Sequence, residues 1–358
     1  MCPRAAAAAR GHMVLSPGRG EGKVRFVRRY LVPRFVQYVL VTVFGITVVF
    51  LLPRLMPVGP VEKIVASVQA RGEYTDPKAA EETVRVLREM YGLEKGLLAQ
   101  YLTFWRRLFT GDFGPSLVSF PTPVIRLIGA SLPWTLGLLF TTTVLVFVIG
   151  NLTGALVGYF RGNTALKLLD GAAMVLAPMP YYIVAQVLII LLAYLMPVFP
   201  AGGSYTVGAR IDWSWPFVKD VLRHAFLPAL SLVLLGAATM HQVMRLIVQN
   251  VNEEDYVRYA RIAAIRERTV FTKYVVRNAM LPQITRLALS FSGLFGGALV
   301  TEIVFAYPGV GLLAYRAILS SDYNLLMGIT TLSTVALTTS TLLMDLIYPL
   351  FDPRIRLI

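Results

Sequence analysis

The sequence predicts an all-α, polytopic membrane protein, and three observations carry that prediction. Of 358 residues, 56% are hydrophobic against 15% charged, and the mean hydropathy is +0.63, far from the balance of a soluble domain. Several stretches exceed the roughly 18 near-uninterrupted apolar residues that mark a membrane-spanning helix. The basic residues behind the net charge of +14 lie in loops between those stretches rather than on one soluble domain. They therefore read as topology signals facing an anionic leaflet, and nucleic-acid binding is not expected.

Six transmembrane helices are expected, at about 35–52, 134–160, 172–196, 227–249, 281–305 and 325–350, each near or above the roughly 20 residues needed to cross a bilayer. Residues 1–27 precede them as a basic N-terminal segment of disordered composition, and residues 28–358 form the transmembrane domain. Cys2 is the one cysteine, so no intrachain disulfide can form. Met13 is an alternative start. The run GRGEGK (Gly18–Lys23) lacks the spacing of a phosphate loop, and Val24 stands where a Ser or Thr is required, so nucleotide binding is not expected. The first helix follows basic residues and has no small-residue cleavage site before Pro53-Arg54, which reads as a retained signal anchor.

In the second helix Gly150, Gly154 and Gly158 recur every four residues, placing three hydrogen side chains on one face for close helix packing. Pro178 and Pro180 interrupt the third, where a kink or broken turn is expected and a pathway could be lined. Asp170, His241, Arg245, Arg286, Glu302 and Asp345 lie in or beside spans. Most sit near expected helix ends, which favours snorkelling or structural pairing over a proton relay.

Orientation follows from counting Lys and Arg. With the N-terminus inside, 8 fall in 1–34, 2 in 159–168, 7 in 245–282 and 2 at the C-terminus, against 10 in 53–131, 3 in 197–226 and 1 in 307–325. The first set, 19 in all, occupies the shorter loops, so both termini are expected in the cytoplasm. The outer loop 53–131 reads as a small helical region: Val84, Leu87 and Tyr91 share a face of Ala79–Tyr91, and Tyr101, Trp105 and Leu108 share a face of Leu97–Phe109. Gly111–Ser116, GDFGPS, is turn chemistry. No catalytic pattern or metal-ligand cluster appears there, so the loop reads as a docking or gating element.

The other large loop, 253–282, carries 4 acidic and 6 basic residues between nearly uncharged spans. If Tyr256–Arg268 is helical, Arg258, Arg261 and Arg268 fall within about 80° of one another, with Tyr256, Ala260 and Ala263 opposite. The small alanines permit close approach to a neighbouring surface, and the arginines can pair with acidic groups or lipid headgroups. Thr269 is an N-cap candidate for a second helix, Val270–Met280, ended by Leu281-Pro282. Such a protrusion is either a handle for another protein or an amphipathic segment on the inner leaflet, and its basic face serves both.

The segments Asp255-Tyr256-Val257-Arg258, Ala260-Arg261, Arg277-Asn278-Ala279 and Leu281-Pro282 resemble the cytoplasmic EAA loop of ABC-importer permease subunits, specifically the oligopeptide/dipeptide permease family with its DYVRTARAKG … RNALLP pattern. The resemblance extends through YGLEKGLLAQYL (Tyr91–Leu102), GDFGPS, LPWTLGL (Leu132–Leu138), HAFLPAL (His224–Leu230), GGALVTEIVFAYPGVG (Gly296–Gly311), SDYNLLMG (Ser321–Gly328) and DLIYPLFDPRIRL (Asp345–Leu357).

It implies a multi-pass permease of a prokaryotic inner membrane that pairs with a second, homologous permease subunit. Two cytoplasmic ATP-binding subunits bind below, and an extracytoplasmic solute-binding protein delivers substrate from above. The chain itself is then no enzyme and needs no cofactor, catalytic residue or metal. Carried onto this sequence, the ATPase-coupling loop comprises Glu254, Asp255, Tyr256, Arg258, Ala260, Arg261, Ala264 and Arg268, with Arg277 and Asn278 bracing it. The implied cargo is di- or oligopeptides, with oligosaccharides or chelated nickel served by the same architecture. A standalone proton-coupled carrier and a membrane scaffold without a pathway are the alternatives from other classes. Three departures stand out: Ala263-Ala264 for the family's Lys-Gly, Pro57-Val58-Gly59-Pro60 for Pro-Gly-Asp-Pro, and Gly96 for a proline. Alanine favours helix over glycine, so the first is expected to stiffen or lengthen the coupling helix.

Overall fold

The computed structural model describes residues 31–55, 85, 96–116, 119–160, 162–296 and 298–351. The N-terminal segment with Cys2, Met13 and GRGEGK, the turn at 57–60, the expected helix at 79–91 apart from Arg85, and residues 352–358 lie outside the described residues. In chain order the helices are α1 (Val32–Leu51), α2 (Leu97–Thr110), α3 (Val124–Tyr159), α4 (Thr164–Leu176), α5 (Tyr181–Ile189), α6 (Trp215–Asn252), α7 (Asp255–Ile262), α8 (Arg277–Ser292), α9 (Leu299–Val304), α10 (Val310–Leu319) and α11 (Tyr323–Phe351). The described residues form no strand; one isolated bridge joins Pro115 and Pro123. The architecture is all-α.

Among the described residues, four helices are long and apolar enough to span a membrane: α1, α3, α6 and α11 over Tyr323–Ile347. With 36 and 38 residues, α3 and α6 run about 54 and 57 Å at 1.5 Å per residue, well beyond a hydrocarbon core of about 30 Å. Both start about ten residues before the expected boundaries, because Pro133 and Pro228 are accommodated inside the helices instead of opening them.

The other two expected spans are not single helices. Between α4 and α5 the chain bends by 109°, so 172–196 is a broken pair. Ala177 remains helical and donates to the Ala173 carbonyl, whereas Pro180 is extended at φ −64°, ψ 138° and opens α5. Proline supplies no N–H to continue the ladder. Beyond Ile189 the helix widens into a π-turn over Ile190–Leu195. α4 starts where the Asn163 side chain accepts from the backbone N–H of Ala165 at 2.9 Å and of Leu166 at 3.4 Å.

The expected helix 281–305 is likewise divided. α8 tightens into a 3-10 turn at Gly293–Gly296 and restarts as α9. Glycine near the break weakens the helix, and a carboxylate one turn into α9 fixes the restart. Glu302 is fully buried. Its carboxylate accepts from Thr135 Oγ1 at 2.8 Å, Gly311 N at 2.7 Å and Leu312 N at 3.0 Å. Those two amides open α10, so the charge also meets the positive end of that helix. A Cβ at Gly309 would lie 2.2 Å from Glu302 Cδ and one at Gly311 2.8 Å from Leu299 Cα, which is why glycines close this turn.

Gly111–Ser116 pairs with Ser321–Gly328 across the sequence. Ser116 Oγ donates to buried Asp322, whose other oxygen caps Leu325 N at 3.0 Å, and Asn324 Nδ2 donates to Pro115 O at 3.0 Å. Around them Phe113, Val124, Ile128, Val310, Ala317, Leu325 and Ile329 form one apolar core. A second joins Leu138, Ala185, Ile189, Leu227, Phe305 and Tyr307. α2 docks on the end of α1: Tyr101 OH lies 2.7 Å from Thr47 Oγ1, and its ring meets Phe50 edge-on at 5.1 Å. The third core lies at the opposite end of the bundle, beside the charged loop.

Candidate functional site

The charged loop opens with α7. Asp255 sits in its first turn and Arg261 in its last, each favourable to the helix dipole. Val257 and Ala260, three residues apart, turn inward onto Ala155, Tyr159, Met244, Val248, Val270, Val275 and Ala279. Those partners come from α3, α6, the segment after α7 and α8. α7 is thus bolted to the ends of α3, α6 and α8 by one apolar core. Ala260 is buried within the chain and does not offer a small-residue face to a neighbour, contrary to expectation.

The helix stops at Ile262. Ala264 N donates to Arg261 O at 2.9 Å and Ile265 N to Ala260 O at 3.2 Å, with Ala264 left-handed at φ 54°. That pair of bonds is a Schellman cap, whose left-handed position normally holds glycine. The expectation that Ala263-Ala264 lengthens the helix is therefore wrong. The backbone takes the turn anyway, and alanine bears a left-handed cost of about 1–2 kcal/mol. Ile265 packs back on the core and anchors the turn. Because α7 ends here, Arg268 does not share its face; it lies in a separate helical turn, Glu267–Thr269.

Thr269 is itself helical, at φ −73°, ψ −41°, and caps nothing. A π-turn over Val270–Val276 runs directly into α8, with Pro282 inside that helix. The second arm of the loop is therefore continuous with the next span, not separated from it at Leu281-Pro282.

A polar latch closes the loop against α3. Tyr159 OH donates to Glu267 Oε1. Arg261 lies 3.7 Å from that carboxylate, donates to Asn252 Oδ1 at 2.6 Å and places its guanidinium 5.6 Å from the Tyr159 ring centroid. Asn278 Nδ2 donates to Tyr274 O at 2.7 Å. Partial burial raises the Tyr256 hydroxyl above its ordinary value, opposed by a hydrogen bond with Asn278. Asn278 thus touches both arms.

Outward, α7 presents Tyr256, Arg258, Tyr259 and Ile262, the last two 69% and 79% exposed. Among the described residues Arg258 makes only a loose 3.9 Å contact with exposed Asp255, and Glu254, Arg268 and Arg277 are exposed. The site therefore combines a loosely held basic group with two exposed apolar side chains. Sequence reasoning passed over Tyr259, Ile262, Tyr159 and Glu267. The first two carried a signal, apolar residues three apart on an otherwise charged helix; the latch pair, 108 residues apart in sequence, carried none.

Above this loop α3 and α6 meet in a tight contact. A Cβ on Gly150 would lie 2.6 Å from Met240 Cβ, on Gly154 2.4 Å from His241 O, and on Gly158 2.8 Å from Arg245 O. The three glycines let α3 lie directly on α6. At the same level Asp170 of α4 pairs with Arg245 of α6, and His241 bridges Asp170 at 3.2 Å and Thr153 Oγ1 of α3 at 3.0 Å. The helix leading to the Pro178–Pro180 break is thereby tied to the same pair.

Residues 150–357 match the model of the family described as binding-protein-dependent transport system inner membrane component. The chain is 31% identical over 281 residues to the oligopeptide transport system permease protein AppB of Bacillus subtilis, covering 78% of this chain and 87% of that protein. It is 25% identical over 333 residues to the dipeptide transport system permease protein DppB of Lactococcus lactis, covering 92% and 99%. It is 28% identical over 275 residues to the oligopeptide transport system permease protein OppB of Haemophilus influenzae, covering 77% and 86%. The apolar spans, the fastened loop and these matches lead to one conclusion: the chain belongs to the family of binding-protein-dependent transport system inner membrane components.

Proposed function

We propose that this multi-pass protein is the permease subunit of an ATP-driven importer and forms half of a translocation pathway for di- or oligopeptides. A second, homologous permease supplies the other half. Two ATP-binding subunits dock on the cytoplasmic loop 253–282, an extracytoplasmic solute-binding protein docks on the opposite side, and both termini lie in the cytoplasm. The peptide cargo rests on the oligopeptide and dipeptide permeases that this chain resembles. The coupling role rests on the way α7 is bolted to α3, α6 and α8 while Arg258, Tyr259 and Ile262 remain exposed.

Nucleotide-driven closure of the ATPases moves α7, and the shared core obliges the ends of three helices to follow. A two-state machine responds only to differential contact, so the ATPase pair must grip α7 unequally in its two states. Gln242 and the Asp170–His241–Arg245 group supply structural pairing within this body, which favours the driven importer over a proton relay. Reconstitution tests the reading. Uptake of peptide into proteoliposomes should require this chain, the second permease, the ATPases, the binding protein and ATP together. Uptake that persists without the ATPases refutes it. Arg258→Glu should weaken ATPase retention while leaving the chain folded; unaltered retention and transport would favour a lipid-surface role for the loop.

A further inference from the structure

The exposed faces of most spans are apolar: α1 presents Phe35, Leu40 and Phe44, and α3 presents Phe140, Val148 and Leu152. α8 differs. Asn278, Pro282, Arg286 and Ser290 recur every four residues along its exposed side, with exposed Leu281 and Leu289 and half-buried Thr285 beside them. Its other side carries buried Ala279 and Gln283, and it packs on α3, α6 and α11. Phe291 near its end stacks on Phe140 of α3 at 5.6 Å. α8 is thus held from within while a polar stripe faces outward.

Arg286 lies about 14 Å along the axis from Arg277 at 1.5 Å per residue, within the expected span 281–305. It is exposed, and its guanidinium makes no ion pair or hydrogen bond among the described residues; its backbone carbonyl accepts from Ser290 Oγ at 2.9 Å. The other ionisable groups named in or beside the spans have partners: Asp170, His241 and Arg245 one another, Asp345 the Arg34 guanidinium at 3.2 Å, and Glu302 the α10 amides. A guanidinium at this depth is costly against lipid and faces water, protein or an anion instead.

We propose that Arg286 is a specificity-determining residue of the pathway, and that it pairs with the carboxylate of the passing substrate. The inference rests on the peptide-import reading and adds what that reading does not contain, the group on this chain that recognises a free C-terminus. A guanidinium offers two parallel N–H donors matched to a carboxylate, and the absence of a fixed partner on α8 lets the cargo occupy that fork transiently. A site that transports must also release, so an exposed cation with competing water suits it better than a buried one. Pro282, one turn below, leaves the Asn278 carbonyl without its helical donor, and that acceptor on the same stripe can receive a peptide N–H.

The test uses the complete importer in proteoliposomes, with ATP-dependent uptake of radiolabelled trialanine and of trialanine amide measured in parallel. With Arg286→Gln the ratio of acid to amide uptake should fall about tenfold, the effect of losing one charge-assisted contact. Arg286→Lys, which keeps the charge without the fork, should fall in between. The binding protein is the same in every assay, so its own preference cancels when the ratio of the variant is divided by that of the wild type. If the acid and amide fall together, or the second permease dissociates, Arg286 pairs with protein rather than cargo and the inference is overturned. An unchanged ratio overturns it as well. A wild-type importer that takes up neither peptide refutes the peptide reading itself, and the inference with it.

Discussion

Replacing Gly154 by alanine tests whether α3 lies directly on α6. The new Cβ would lie 2.4 Å from His241 O, 2.9 Å from Met244 Cβ and 3.1 Å from Arg245 N. Ordinary contact begins near 3.4 Å, so α6 must retreat by 3.4 − 2.4, about 1 Å, with backbone rather than a flexible side chain in the way. Overpacking of this kind costs about 1–3 kcal/mol. Alanine also gains about 1 kcal/mol of helix propensity over glycine, which would mask part of the loss. Gly137→Ala on the same helix supplies the correction, because nothing lies within 4 Å of a Cβ there. The purified protein carrying Gly154→Ala should therefore unfold at a lower temperature or denaturant concentration than Gly137→Ala, by about 1–3 kcal/mol. Equal stability of the two variants would refute the close approach of α3 and α6.

Other substitutions probe the same geometry. Ala264→Gly should stabilise the loop by up to about 1 kcal/mol, since it relieves the left-handed cost but regains unfolded-chain entropy; slower amide exchange at Ile265 would report it. Asp170→Asn leaves Arg245 without its counter-charge in a mostly buried setting and should destabilise by about 3 kcal/mol, the low end for a broken buried pair. Arg245→Gln in the same background should recover part of that loss in a thermal unfolding assay. Glu302→Ala removes the acceptor of three buried donors and should cost at least about 3 kcal/mol in the same assay, whereas Glu302→Gln, which retains an acceptor oxygen, should cost less.

Hydropathy located α1, α3, α6 and α11 because each carries a long apolar run, and the recurrence of Gly150, Gly154 and Gly158 pointed to the face that meets α6. Pro178 and Pro180 announced a break, but not its 109° bend. The division of 281–305 was hidden because the run stays apolar through Leu299 and Val300, while the cause is Glu302 folding back onto amides nine and ten residues ahead. In the loop, charge periodicity treated Tyr256–Arg268 as one helix and so placed Arg268 beside Arg258. A Schellman cap formed without glycine carries little local signal, since the decisive term is Ile265 seating on a core drawn from α3, α6 and α8. The inward turn of Ala260 follows from that same tertiary core and not from its own propensity.

If an ATPase subunit grips the outer face of α7, site-directed crosslinking will capture it there. The chain has one cysteine, Cys2, so in a Cys2→Ser background a thiol introduced by Tyr259→Cys or Ile262→Cys is unique. In the assembled transporter each should form a short-spacer crosslink to an ATPase subunit, with a yield that changes between the nucleotide-free and ATP-bound states. Phe109→Cys, 83% exposed on α2 at the other end of the bundle, should form none. Crosslinks absent from both α7 positions while the complex remains intact and active would show that the ATPase does not dock on α7.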